Sequence, residues 1–154
     1  DFEFYLNSNT FNNYPNLENI NLNLKIKEGF IDIDNTSFEW KKISDFKIYD
    51  SLIFIKDGEL ILDSKLEINV DNYNEIYKFL LTPKNYRRKF NKIDLGFYYN
   101  FNQRSTKLKD IKIDGKMHNE LNSVIGNVNL KENKLQNKIY FKNLLNKAIK
   151  AYAG

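Results

Sequence analysis

FKIYDSLIFIKDGELILDSKLEINV, residues Phe46 to Val70, decides the fold. Two apolar runs, Leu52 to Ile55 and Leu60 to Leu62, flank Lys56-Asp57-Gly58-Glu59. Asp-Gly between β-rich runs signals a tight hairpin, because a type I′ turn needs positive φ at both central residues. Beyond Leu62 the apolar residues thin to Leu66, Ile68 and Val70 with polar residues between them. That period of two belongs to a strand with one wet face. The stretch reads as a β-meander.

Working outward, Ile20, Leu22, Leu24 and Ile26 alternate with Asn21, Asn23 and Lys25, and Glu28-Gly29 turns the chain into Phe30 to Asp34. Asn35-Thr36 allows a bend before Phe38 and Trp40, and Lys41 to Asp45 is polar punctuation. Residues 1–19 mix aromatics with Asn and are read as irregular or as a partial strand through Phe2, Phe4 and Leu6, beside a β-rich domain over 20–154. At Asp71 the period changes. Asn72 and Glu75 resemble a capping box, and Tyr73, Ile76, Tyr77 and Leu80 share one face of a helix over about 72–82, which Thr82-Pro83 ends. Strand pattern returns at Ile93, Leu95, Phe97, Tyr99 and Phe101, then at Thr106 to Ile113, with Asp114-Gly115 as another turn. Residues 117–135 carry both a short helical spacing (Leu121, Val124, Ile125) and an alternation at Val128 and Leu130. A last helix over 138–152 carries the stripe Phe141, Leu144, Leu145, Ala148, Ile149 and Tyr152, with Lys142, Asn146, Lys147 and Lys150 largely on the other side. Such a stripe is too wide to leave in water and predicts a cap on the apolar face of the sheet. The expected class is β-rich α+β: a curved antiparallel meander or groove, one internal helix and a C-terminal capping helix.

Composition narrows the chemistry. At 154 residues, with 42% hydrophobic and 15% aromatic residues, one packed domain is expected. The abundance of Asn, Lys and Ile reads as AT-rich codon usage rather than an aggregation module. A net charge of +4 is spread among both signs, so nucleic acid is not an expected partner. The dense run Lys84, Arg87, Arg88, Lys89 reads as a solvated linker or a contact for anionic headgroups. The absence of cysteine removes disulfides, thiol chemistry and Cys-type zinc sites. His118 stands without a partner and reads as a turn or surface residue; a base needs an orienting group and a metal needs further ligands. Asp32/Asp34, Asp57/Glu59 and Asp110/Asp114 fall in turns or on wet strand faces, where solvation accounts for them. No phosphate-cradling glycine loop is present. No catalytic residue, metal or cofactor is therefore expected.

The order of these features across Leu17 to Gly154 resembles the C-terminal region of the AsmA-like proteins, the bacterial envelope family that includes the TamB and YhdP types. The resemblance is carried by Ile31 to Trp40, by Tyr49 to Leu62 with its Gly58-Glu59-Leu60-Ile61-Leu62, by Tyr77 to Leu80, by Tyr98 to Phe101 and by Lys142 to Gly154. Asp63-Ser64 replaces the family's usual glycine after the second leucine strand. The resemblance implies a periplasmic segment of an inner-membrane-anchored protein that shields or conducts phospholipid acyl chains and supports outer-membrane biogenesis. The chain opens on Asp1 without Met, so an anchor is expected upstream. Leu22, Leu24, Ile26, Leu95, Phe97, Tyr99 and Phe101 are the expected lipid-facing residues, since they alternate most cleanly. The alternative is a lipid-free interaction module that binds an envelope partner through its sheet edge or helices.

Overall fold

The computed structural model describes every residue except Asn13, Asn127, 132–133 and 135–136. Its strands are β1 Phe2–Thr10, β2 Leu17–Lys27, β3 Phe30–Asp32, β4 Ser37–Trp40, β5 Ser44–Lys56, β6 Glu59–Val70, β7 Lys92–Asn100, β8 Ser105–Ile113, β9 Lys116–Met117 and β10 Asn129–Lys131. Its helices are α1 Tyr73–Leu80, α2 Asn119–Gly126 and α3 Lys138–Ala153, with a 3₁₀ turn at Lys84–Tyr86. The class is the expected one, a mainly antiparallel β fold with an internal and a C-terminal helix.

All ten strands form one sheet, laid down nearly in chain order. The hairpins at Glu28-Gly29, Asp57-Gly58 and Asp114-Gly115 place both turn residues at positive φ, between 48° and 83°, as a type I′ turn requires. β3 and β4 share one lane between β2 and β5, interrupted at residues 33–36. The register shifts in β2 around Asn19, in β5 around Asp50 and in β8 around Asp110, each residue at positive φ. Bulges of this kind bend a strand and raise its twist, so they are the means by which this sheet departs from flatness.

Of the two expectations for residues 1–19, irregular chain or a partial strand, the strand is present and longer than Phe2 to Leu6. β1 is a regular nine-residue strand paired with β2 from Phe2↔Ile26 to Thr10↔Glu18, and it forms one edge of the common sheet. Its alternation was visible, but its partner lies across a turn whose length the sequence does not announce.

α1 starts where expected: the Asn72 side chain accepts a hydrogen bond from the Glu75 N–H. The helix ends at Leu81, which closes it in the left-handed conformation. Tyr77, fully buried, donates its hydroxyl to the Arg88 carbonyl at 2.6 Å and accepts from the Arg88 N–H. Val70, Tyr77, Phe90, Ile111, Ile113, Leu121, Ile125 and Ala148 form the core between the sheet and the helices. α3 closes over the core beside α2. It packs mainly on α2, with lesser contacts to α1 and the 3₁₀ turn. From the expected stripe, Ala148, Ile149 and Tyr152 join the core, while Phe141, Leu144 and Leu145 stay half-buried outside it. Asn146, placed by sequence on the wet side, instead accepts from the Thr82 hydroxyl and donates to the Leu80 carbonyl, both at 2.6 Å. Amide pairing of this kind fixes α3 against α1 in a way that apolar periodicity alone cannot reveal.

Candidate functional site

The register assigns one face of the sheet to apolar side chains along its whole width. Phe2, Phe4 and Leu6 lie opposite Ile26, Leu24 and Leu22, and Ile26 pairs with Ile31, which pairs with Ile53. Ile53 pairs with Leu62, Leu62 with Tyr99, and Ile68 with Ile93, which faces Ile113. Helices cover only part of this face. α1, α2 and α3 shelter Val70, Ile93, Leu95, Leu108, Ile111 and Ile113. Over the remainder, from β1 diagonally to the Leu60–Phe101 end of β6 and β7, none of the helices α1, α2 and α3 lies.

Exposure follows that boundary. Phe2 is 57%, Leu22 42% and Ile55 75% exposed, and Phe4, Leu6, Leu60 and Phe101 are exposed too. Leu24, Ile26, Phe97 and Tyr99 are half-buried among neighbours on the same face. Tyr99 meets Phe101 edge-on at 4.9 Å. Of the seven expected lipid-facing residues, six thus border the uncovered area. Leu95 packs on the helix-covered core. The expected lipid-facing set leaves out Phe2, Phe4, Leu6, Ile53, Ile55 and Leu60, which share this face. A signal existed for the last three: the two-residue Asp57-Gly58 turn fixes Lys56 opposite Glu59, and hence Ile55 opposite Leu60 and Ile53 opposite Leu62.

The opposite face carries ion pairs, with Tyr5, Phe30, Leu52 and Tyr98 exposed among them. Lys25–Glu3, Lys65–Asp50, Lys92–Glu67 and Lys109–Asp63 all close at 2.8 Å. Hydrogen bonds from Lys92 and Asn69 hold the Glu67 carboxyl below its ordinary range. Burial opposes the charge of Lys109, but Asp63 and the Tyr98 hydroxyl outweigh it and raise its pKa. Lys109 reaches Asp63 by lying across Gly96, where a Cβ would come within 2.8 Å of its side chain. A shallow depression here is lined by Asp50, Asp63 and Asp94 as well as Lys65, Lys92 and Lys109, so its charges cancel and no donors converge on one point.

Of the carboxylates singled out in sequence, Asp32, Asp34 and Asp114 accept from backbone N–H groups and Glu59 from side-chain amides. Asp34 Oδ1 accepts from the Ser51 N–H at 2.8 Å and from its hydroxyl at 2.6 Å. Asn23 donates to the Asp34 carbonyl, and the Ile33 N–H donates to Ser51 Oγ. This knot spans the β3–β4 interruption opposite the β5 bulge. Asp114 accepts from the Asn91 and Lys92 N–H groups, and Glu59 from Asn100 and Gln103. His118 is half-buried, edge-on to Tyr152 at 4.9 Å. Among the described residues no group of His, Asp or Glu is arranged to hold a metal. In the basic run, Arg87 donates to the Thr82 carbonyl and Arg88 donates twice to the Ala153 carbonyl, leaving Lys84 and Lys89 exposed. No helix among the described residues is long and apolar enough to cross a membrane.

What the arrangement can do is hold apolar matter without directional bonds, because its only unshielded chemistry is hydrocarbon and aromatic surface. No protein-family model, curated protein or solved structure matches the chain.

Proposed function

We propose that the uncovered half of the apolar face holds phospholipid acyl chains, and that the chain acts as the C-terminal segment of a periplasmic, inner-membrane-anchored AsmA-like protein supporting outer-membrane biogenesis. One observation supports the lipid reading: a continuous apolar face on a single sheet, over only one end of which α1, α2 and α3 lie. Exposed apolar area of this extent is uncommon on monomers and marks binding surfaces. Each buried Å² would contribute about 25 cal/mol, so affinity grows with chain length and carries no fixed pose. The periplasmic placement rests on the sequence resemblance.

Native mass spectrometry of the purified protein tests the reading. Bound phospholipid is expected in wild type and is expected to fall sharply in Leu22→Lys/Leu24→Lys, with circular dichroism unchanged. Lipid-free wild type, or equal loading in the variant, overturns it. A second reading, a lipid-free scaffold that binds partner strands, is favoured by one specific feature, the unpaired outer edge of β1. Lipid-free protein forming strand-mediated dimers would select it.

A further inference from the structure

Charge is divided unevenly between the layers. Residues 72–91, 119–126 and 137–154, which build the helical layer, hold nine Lys and Arg against Glu75 and Glu120, a net charge of +7. With the whole chain at +4, the sheet and its loops carry −3.

The cations gather along the seam between α1 and α3. Lys142, Asn146 and Lys150, spaced four residues apart, form one row on α3. Lys142 lies over the Phe79 ring at 4.3 Å, Asn146 bonds Thr82, and Lys150 lies over the Tyr86 ring at 5.4 Å. Lys84 and Lys147 are exposed and have no ion pair among the described residues. At the same seam stands Leu81, 79% exposed and at φ 57°. A leucine in the left-handed region is strained, and here it also presents its side chain to water; glycine or asparagine would avoid both costs.

An exposed apolar side chain beside a lysine-bearing seam, two of whose lysines overlie aromatic rings, is suited to a bilayer interface, where apolar groups enter the headgroup layer and cations remain with the phosphates. We propose that this seam docks the protein on an anionic phospholipid bilayer, with Leu81 inserted and Lys84, Lys142, Lys147 and Lys150 among the headgroups. Arg87 and Arg88 each engage a backbone carbonyl, of Thr82 and Ala153, although Arg88 stays exposed. The seam also adjoins the open apolar face, since Phe79 meets Trp40 edge-on at 5.0 Å. Docking therefore brings the bilayer to the border of that face, but the inference stands on charge and exposure and does not require the groove to carry lipid.

The test is co-sedimentation with vesicles of phosphatidylcholine, with or without roughly a third phosphatidylglycerol. Binding to the anionic vesicles alone is expected, weakening as salt rises from about 0.1 to about 0.5 M. Lys84→Glu/Lys147→Glu is expected to bind at least about tenfold more weakly. Lys107→Glu/Lys112→Glu makes the same charge change on the ion-paired sheet face and is expected to bind as wild type does. Leu81→Asn is expected to melt no lower than wild type yet bind several-fold more weakly. Equal loss in both charge variants, equal binding to neutral vesicles, or unchanged binding by Leu81→Asn overturns the proposal. Release from vesicles by short duplex DNA at matching charge concentration overturns it in favour of a general polyanion site. Native mass spectrometry of Lys84→Glu/Lys147→Glu separates the two proposals: acyl-chain loading kept while vesicle binding is lost leaves the groove reading intact.

Discussion

The two halves of the apolar face are made of similar residues and held by different means. Under the helices, Ile111, Ile113 and Val70 are locked into a cluster with Tyr77, Leu121 and Ala148. On the open half, Leu22, Leu24 and Ile26 alternate just as cleanly, yet none of α1, α2 and α3 covers them. Order there comes instead from the ladder and from the polar knot of Asn23, Asp34, Thr36 and Ser51. The same hydrophobic pattern can therefore encode a core or a surface. What decides between them is whether another element is tethered within reach.

The sharpest way to break this comparison is to make the same deletion in each half. Ile111 is 4% exposed, and Ile111→Ala is expected to cost about 2–5 kcal/mol in urea unfolding. Leu22→Ala is expected to cost about 1 kcal/mol or less, since water already touches much of that side chain. Equal costs would mean that the open half is packed as a core. A smaller effect is expected from the knot. Ser51→Ala keeps the backbone N–H bond to Asp34 Oδ1 but removes the hydroxyl that donates to the same oxygen and accepts from the Ile33 N–H, at a cost of about 1–3 kcal/mol. Hydrogen exchange should rise first in β3 and β4; a uniform rise would show that the knot does not hold that lane.

The smallest effect sharpens the covered half. Burial pushes the Tyr77 phenol above its ordinary value near 10, against the pull of its hydrogen bond to the Arg88 backbone. A folded-state pKa raised in this way means that the native chain keeps a proton the unfolded chain releases. Stability contributed by Tyr77 is thus present below pH about 10 and falls as pH climbs above it. Tyr77→Phe is expected to be less stable at neutral pH by about 1 kcal/mol but to lose less stability on going alkaline. Parallel pH profiles for the two proteins would remove Tyr77 as the titrating group.

Local chemistry was readable in the sequence and tethering was not. Asp57-Gly58, Asp114-Gly115 and the Asn72 cap announce themselves because turns and caps are decided within a few residues. The α+β class and the helices α1 and α3 follow from periodicity. The shared lane of β3 and β4, the bulges at Asn19, Asp50 and Asp110, and the hydrogen bonds from Arg88 to the Ala153 carbonyl depend on partners far along the chain. Asn146 shows the limit most clearly: its polarity reads as exposure, while its hydrogen bonds reach Leu80 and Thr82, more than sixty residues away. The site shares this division. Alternation marks Leu22, Leu24 and Ile26 as one face, but only the position of α1 separates Leu95 from Phe97.

The order in which the strands are laid down turns the sheet into a ruler. Successive strands are neighbours, with β3 and β4 sharing a lane and β9 and β10 lying beside β8, so the sheet is eight lanes wide. At about 4.8 Å per lane, its apolar face measures roughly 34 Å from edge to edge. Because each tight turn joins adjacent lanes, a hairpin can be inserted or removed there without rethreading the rest. Each such event changes the width by about 10 Å and leaves the helical end untouched. The reach of this surface is thus set by counting hairpins, and selection can adjust it in steps without redesigning any strand already present.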